Sequence, residues 1–196
     1  MPLLNVSFSL KNAEVLKDAL LAFPQEAHKA AYWAIRETTT HVKSRVSVHV
    51  RKRYRVPADT IKKTLDDKTP RFHTAEVVGM VEATSRPLLL TQFEEKSVKA
   101  PDMRRKSFGP FKVKLLRNGS YKPVIGLFIN TQNSPNLRLR PKSSRYPTKP
   151  PAGPSIPQMI ENEEVWSGIE ASAEKKLNER LVHQLNFVLN RIGAKL

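Results

Sequence analysis

The fold is decided by residues 27–46, which have the sequence AHKAAYWAIRETTTHVKSRV. Small and apolar residues recur here at steps of three and four, which places them on one face of an α-helix. That face consists of Ala27, Ala30, Ala31, Ala34, Ile35, Thr38, Val42 and Val46. Pro24 suits the first turn, because a proline there sacrifices no intrahelical hydrogen bond. Small side chains let a second backbone approach closely, so the face is a core contact, a docking surface or both.

Before this helix the sequence predicts one strand and one short helix. Val6, Phe8 and Leu10 alternate with serines, a pattern typical of a half-buried strand. Asn12 is a suitable N-cap for a helix that ends near Ala22.

After the long helix the sequence predicts short elements. Val56-Pro57 ends the basic run that follows Val46, since a proline disfavours helical backbone in the residue before it. Residues 58–65 favour a short helix, and residues 74–84 favour a strand because they are rich in valine.

A β-hairpin is predicted around Asn118-Gly119. Residues 111–115 alternate apolar residues with lysines, and Asn-Gly supplies the residues that a tight type I′ turn requires. We expect residues 121–130 to return as the second strand.

Residues 135–157 contain seven prolines and five basic residues. Such a segment cannot form a central strand or the interior of a helix, so we expect an extended arm or a loop. In an assembly this arm could lie across a neighbouring subunit.

The last predicted element is a long helix over residues 158–192. Its apolar residues recur at four-residue steps, which rotate the apolar stripe by about 40° each time because 3.6 residues make one turn. We therefore expect a break in the helix or different partners for its two ends. The residues predicted to form an interface in the two long helices are Ala27, Ala31, Ala34, Val165, Ile169, Leu181 and Leu185.

Together these elements predict an α+β fold, with N-terminal strand and helices, a small antiparallel sheet, a proline-rich arm and a long C-terminal helix. We divide the chain into a core domain over residues 1–134, an arm or loop over residues 135–157, and a helix over residues 158–196. This helix is expected to dock on the core or on a neighbouring subunit. The length of 196 residues is sufficient to bury a core.

Composition excludes several classes of protein. The chain has no cysteine, so disulfides, thiolate catalysis and cysteine-ligated zinc are ruled out. No apolar run approaches the roughly 20 residues that a membrane helix needs, and the N-terminus lacks the pattern of a signal peptide. We therefore expect a protein that is made and used in a cytoplasm and has no membrane partner.

The formal net charge of +16 is concentrated in the middle of the chain. Residues 43–149 contain 25 basic and 8 acidic residues, whereas the flanking segments are nearly neutral. This distribution predicts a surface that faces nucleic acid or an acidic protein neighbour, the alternative being a solvated basic face without a dedicated ligand. The predicted polyanion-binding residues are Lys43, Arg45, Arg51, Lys52, Arg53, Arg55, Arg104, Arg105, Lys106, Lys112 and Lys114.

No catalytic or cofactor motif is recognisable, and the five histidines are scattered. We therefore expect no catalytic residues, no cofactor and no metal site. One alternative is a metal-dependent nuclease, because Glu94-Glu95-Lys96 and Pro101-Asp102 contain the carboxylates and the lysine that such sites use. Their order along the chain is the reverse of the usual one.

Three stretches of the chain carry a resemblance to a known family. They are Ala34-Ile35-Arg36-Glu37-Thr38-Thr39 with Arg53-Tyr54-Arg55-Val56-Pro57 and Ile61, then Arg86-Pro87-Leu88-Leu89-Leu90-Thr91-Gln92-Phe93, and then Arg145-Tyr146-Pro147 with Gly153-Pro154-Ser155-Ile156-Pro157-Gln158-Met159. Taken together and in this order, they resemble the phage minor tail protein Z family.

The resemblance implies a structural component of a phage or prophage tail, needed to complete a functional tail near the neck or head–tail joint. Its partners would be the tail terminator, tail tube and tape-measure proteins, and a homo-oligomeric ring is expected. The location implied is the virion, after assembly in the host bacterial cytoplasm, with the basic residues near packaged DNA. The residues alone leave a second interpretation open, a sequence-independent nucleic-acid-binding protein.

Overall fold

The computed structural model describes residues 24–73, 76–101, 110–130, 136–140 and 146–192, and its architecture is α+β, as predicted. The helices are α1 Pro24–Arg53, α2 Ala58–Thr64, α3 Ile156–Ile160 and α4 Glu163–Ile192. The strands are β1 Leu65–His73, β2 Glu76–Ala83, β3 Val98–Lys99, β4 Phe111–Val113, β5 Lys122–Val124, β6 Leu127–Asn130 and β7 Asn136–Leu139. The strand and short helix predicted within residues 6–22 lie outside the described residues.

The two long helices, α1 and α4, pack against each other in antiparallel orientation. The start of α1 and the second half of α4 contribute to one hydrophobic cluster, which contains Ala27, Ala34 and Leu181. The end of α1 and the first half of α4 contribute to a larger cluster, which contains Val46 and Val165. The helix predicted to begin at Pro24 is confirmed, and it continues through the basic run to Arg53.

The seven residues predicted to form an interface are buried within this one chain. Each is at most 9% exposed, and all belong to the two clusters that join α1 to α4. The alanine face is covered by α4, which agrees with the core contact that the sequence analysis gave as one of the alternatives. The residues that join the two long helices in this way are Ala27, Ala31, Ala34, Val165, Ile169, Leu181 and Leu185.

Both long helices bury residues at four-residue steps, from Ala30 to Val50 on α1 and from Val165 to Leu185 on α4. A step of four exceeds 3.6 residues per turn, so the buried stripe winds around each helix. The predicted change of partner along α4 follows from this winding. Its first half packs on α1 and on the β-strands, whereas its second half shares a cluster with α1 alone among the described residues.

The predicted C-terminal helix is also interrupted. Glu161 and Asn162 separate α3 from α4, so residues 158–192 are not one helix. At the start of α3, the Ser155 N–H donates to Gln158 Oε1 at 2.9 Å, which satisfies a backbone donor that the helix leaves free.

Threonines in the middle of α1 hydrogen-bond to the helix itself. Thr38 Oγ1 donates to the Ala34 carbonyl at 2.7 Å, and Thr39 Oγ1 donates to the Ile35 carbonyl at 2.8 Å. These bonds satisfy hydroxyl groups that are buried under other elements. A Cβ on Gly79 of β2 would lie 2.4 Å from Thr39 Oγ1, so a glycine is needed for β2 to approach α1 this closely.

Strands β1 and β2 form an antiparallel hairpin with Leu65 opposite Ala83. The strand predicted over residues 74–84 is therefore confirmed, as is the short helix that precedes β1. The sequence did not predict β1, because Asp66-Asp67-Lys68 interrupts the alternation of polar and apolar residues that identifies a strand.

Strands β3, β4 and β5 form an antiparallel sheet in which Phe111 lies opposite Val124. The predicted hairpin is therefore present, but its turn is not type I′. Gly119 lacks the positive φ that this turn requires, and its N–H instead donates to the Leu116 carbonyl at 3.4 Å. Residues 114–121 form a longer connection that reaches towards the end of α1.

Residues 121–130 form two strands instead of the one that was predicted. Gly126 has a φ of 81° and turns the chain between β5 and β6, and a Cβ there would lie 2.4 Å from the Arg140 carbonyl oxygen. Strand β6 then pairs with β7, with Leu127 opposite Leu139. The domain boundary expected after residue 134 thus falls between two paired strands.

The described part of the proline-rich segment packs on its own chain. Leu139 and Lys149 exchange backbone hydrogen bonds of 2.8 and 2.9 Å. Further on, the Gly153 N–H donates to the Leu88 carbonyl at 2.7 Å, and the Leu90 N–H donates to the Pro151 carbonyl at 3.0 Å.

These last bonds belong to a junction of three distant stretches, residues 53–57, 86–94 and 151–160. The Glu94 N–H donates to the Arg55 carbonyl at 3.0 Å, which joins the first stretch to the second. Phe93 packs against Gly153, where a Cβ would lie 2.9 Å from the ring. The core side chains that the junction contributes are Val56, Leu88, Leu90, Phe93, Ile156, Met159 and Ile160.

We expect Ala34→Leu to lower the free energy of unfolding by roughly 1–3 kcal/mol, because Ala34 is 0% exposed and a larger side chain would separate α1 from α4. The matched control is Ala171→Leu on the exposed side of α4, where the same substitution should change stability by less than about 0.5 kcal/mol. Urea unfolding measures both. Equal effects at the two positions would contradict the close helix contact.

Candidate polyanion-binding surface

The basic end of α1 is capped by the segment that follows β4. The Arg117 N–H donates to the Arg53 carbonyl at 2.8 Å. Arg117 Nε also donates to the Arg51 carbonyl at 2.5 Å. These bonds satisfy carbonyls that a helix end leaves without intrahelical partners. Basic side chains in this turn are favoured by the partial negative charge of the helix C-terminus, so part of the basic run has a structural explanation.

Lys43, predicted to bind a polyanion, is paired within the chain. Its Nζ lies 2.6 Å from Asp67 Oδ1, which ties α1 to β1. The hydrogen bond from Lys43 lowers the pKa of the Asp67 carboxyl despite the opposing effect of burial. Both side chains are about one third exposed, at 30% and 33%, so the pair is a partly screened structural contact.

Glu94 accepts hydrogen bonds from two arginines. Arg55 Nε lies 3.3 Å from Glu94 Oε2, and Arg117 Nη2 lies 2.5 Å from Glu94 Oε1. Arg55 is among the residues predicted to bind a polyanion, whereas Arg117 is not. Sequence alone could not reveal this cluster, since Arg55 and Glu94 are 39 residues apart.

The same contacts bear on the nuclease alternative. A carboxylate that already neutralises two guanidinium groups is poorly placed to ligate a divalent metal. Asp102, its suggested partner, lies outside the described residues. Among the residues that are described, no three histidines, aspartates or glutamates are grouped closely enough to hold a metal ion.

Arg53 is also engaged in the fold. Its Nη1 pairs with Glu164 in the first turn of α4. A carboxylate at the start of one helix and a cation at the end of the other are each favourably placed relative to the helix dipoles. Arg53 therefore links the ends of α1 and α4.

Five predicted residues present their charge with less intramolecular compensation. Arg45, Arg51, Lys52 and Lys112 are exposed, and Lys114 is half-buried with its Nζ 5.9 Å from the Tyr121 ring centroid. No salt bridge joins these five to a carboxylate in the described ranges. Arg104, Arg105 and Lys106 lie outside those ranges.

Arg51, Lys52 and Lys112 form what we call the basic end surface. Strand β4 leads directly into the segment that caps α1, where Leu116 bridges to Tyr54. The two groups of cations are thus brought to the same end of the molecule although they are about 60 residues apart in sequence. Clustered exposed cations without carboxylate partners attract phosphates regardless of base sequence.

Comparison with protein-family models, characterised proteins and solved structures finds no match to this chain. Among the helices described, none has a stretch long and apolar enough to cross a lipid bilayer.

The Lys43–Asp67 pair should make stability depend on pH. The pKa of Asp67 is held below its ordinary value of 3.8, so its contribution is present above that pH and is lost as pH falls through the lower folded-state pKa. We expect Asp67→Asn to destabilise the protein at pH 7, and its difference from the unsubstituted protein to shrink below about pH 4.

Urea midpoints measured between neutral pH and about pH 2 test this. Lys43→Gln should show the same pH dependence, because it removes the other half of the pair. A difference that stays constant over the whole range would contradict the assignment.

Proposed function

We propose that the protein is a structural component of a bacteriophage tail, a minor tail or tail completion protein that acts through protein contacts in the neck or head–tail joint. The observation that supports this most is the junction. Segments from all three stretches that resemble the minor tail protein Z family meet there, residues 53–57, 86–93 and 153–159, although they are far apart in sequence. An assembly protein works through the shape of its surfaces. The junction residues fix that shape, because they hold three distant segments of the chain together.

The basic end surface supports a position near packaged DNA or an acidic neighbour. Its cations are exposed, whereas Lys43, Arg53 and Arg55 are held by carboxylates of the same chain. In a ring of identical subunits, one such surface per copy would form a positive collar. The partners of this proposal are other tail or neck proteins, namely the terminator, tube and tape-measure proteins, and the location is the virion.

The proposed role involves no catalysis. Glu94, one of the two described carboxylates of the suggested nuclease site, holds Arg55 and Arg117 in place. Arg55 and Glu94, two charged residues that stand out in the sequence, thus hold segments of the fold together. The protein would contribute surfaces to a virion and no reactive group.

A genetic test is direct. Deleting the gene from a phage or prophage that encodes it should give DNA-filled heads without complete tails, and expression of the intact chain in trans should restore infectious particles. Gly153→Val, which would drive a side chain into Phe93, should fail to restore them, whereas Ala171→Leu should succeed. Normal tails and normal titres without the gene would refute the proposal.

The exposed cations favour a second candidate function, sequence-independent nucleic-acid binding. For duplex DNA the logarithm of the association constant falls with the logarithm of salt concentration, by about 0.9 per phosphate contact. We expect the combined variant Arg51→Gln, Lys52→Gln and Lys112→Gln to reduce this slope by about 3 units if each residue makes one contact. Fluorescence anisotropy of a labelled duplex between about 50 and 200 mM salt measures it.

Lys43→Gln is the matched control, because Lys43 is paired with Asp67 and should contribute little to the slope. Equal slopes for the control and the triple variant would show that the basic end surface does not bind DNA.

A further inference from the structure

A groove of about 510 Å³ lies between α1 and α4, midway along α1. Its α1 wall includes Trp33, Arg36 and Glu37, and its α4 wall includes Lys176 and Arg180. The groove is separate from the basic end surface, whose α1 residues begin about two turns beyond Ser44, the last α1 residue of the groove wall. Its volume falls within the range of about 300–1,000 Å³ that is typical of small-ligand sites.

Trp33 is an exposed aromatic platform on one rim of this groove. It is 47% exposed, although the same helix buries its alanines almost completely. The Arg36 guanidinium carbon lies 5.2 Å from the Trp33 ring centroid, and the Tyr32 ring stands edge-on to it at 5.5 Å. These contacts restrain the orientation of the indole while leaving much of its surface accessible.

The groove carries more positive than negative charge. Its one lining carboxylate, Glu37, accepts from Arg180 Nε at 2.9 Å and from Gln184 Nε2 at 3.1 Å, so its charge is compensated. Arg36 forms no salt bridge with a described carboxylate, and Lys176 Nζ is 3.9 Å from Glu179, the limit of such a pair. Arg36 on the α1 wall and Lys176 on the α4 wall are therefore the cations available to a ligand.

His41 lies on the α1 wall of the groove. Its Nε2 is 3.3 Å from Ser172 Oγ, and it also accepts from Arg45 at 3.3 Å. Burial lowers the pKa of His41, and the charges of Arg45 and Lys176 lower it further, against a smaller opposing effect of Glu179. These effects disfavour the charged imidazolium form of His41.

We propose that this groove binds a segment of single-stranded nucleic acid, with one base stacked on Trp33 and the adjoining phosphates held by Arg36 and Lys176. Aromatic stacking beside a positively charged groove is how proteins bind single strands without sequence preference. A duplex offers no free base face to the indole, and an acidic peptide has no base to stack. The proposal does not depend on the protein being a tail component.

The test uses the full chain with Trp166→Phe, which leaves Trp33 as its one tryptophan. Titration with a short oligothymidylate at low salt should quench the Trp33 fluorescence in a saturable way. In anisotropy measurements with the same oligonucleotide labelled, Trp33→Ala should weaken binding by about 10-fold or more, and Trp33→Phe should recover part of the loss. Arg36→Gln and Lys176→Gln should each reduce the salt slope by about 0.7.

Two matched controls separate the groove from general charge and exposure. Phe187→Ala removes another exposed aromatic side chain, 60% exposed on α4, and should leave the affinity unchanged. Lys112→Gln removes a cation of the basic end surface and should leave the Trp33 quenching unchanged. Circular dichroism of each variant verifies that the helices are intact.

Three results would overturn the proposal. One is an affinity for the single strand that does not change in Trp33→Ala. Another is equal quenching by a duplex of the same length. A third is stronger quenching by polyglutamate than by the oligonucleotide, which would assign the groove to an acidic peptide.

Discussion

The contact between α1 and α4 is the constraint on which the rest of the molecule depends. Alanines on α1 let the larger leucines of α4 come close, and the two helices form the smaller hydrophobic cluster and contribute to the larger one. The β1–β2 hairpin packs on α1 through Gly79, and the junction rests on the cluster shared by the end of α1 and the start of α4. The basic end surface lies at the C-terminal end of α1, and the Trp33 groove lies between α1 and α4.

Folding divides the basic residues into two groups. Residues that meet an acidic side chain become structural, as Lys43 does with Asp67 and Arg55 does with Glu94. Arg51, Lys52 and Lys112 of the basic end surface and Arg36 in the groove form no salt bridge with a described carboxylate and remain exposed. A strongly basic composition is thus an incomplete guide to a binding surface, because 8 acidic residues in the same region are enough to neutralise several of the cations that look most prominent in the sequence.

Sequence periodicity was sufficient for the parts of the fold that depend on local pattern. The start of α1, its alanine face, helix α2, strand β2 and the presence of the β4–β5 hairpin were all predictable. Long-range pairing was not predictable. Strand β1 contains Asp67, which pairs with Lys43 of α1, and β7 lies within the proline-rich segment. The prediction of a type I′ turn was wrong because the segment that contains Gly119 bonds to the end of α1 through Leu116 and Arg117. Arg117 and Trp33 were missed because neither belongs to a motif.

The most direct test of the helix contact is a disulfide between α1 and α4, in a chain that has no cysteine of its own. A Cβ at position 168 would lie 3.3 Å from His49 Cγ, within the reach of a disulfide. On mild oxidation, the double variant His49→Cys and Gly168→Cys should form an intrachain bond that gives a monomer of increased electrophoretic mobility. Disulfide-linked dimers, or two thiols that stay free, would show that α1 and α4 of one chain do not pack together as described.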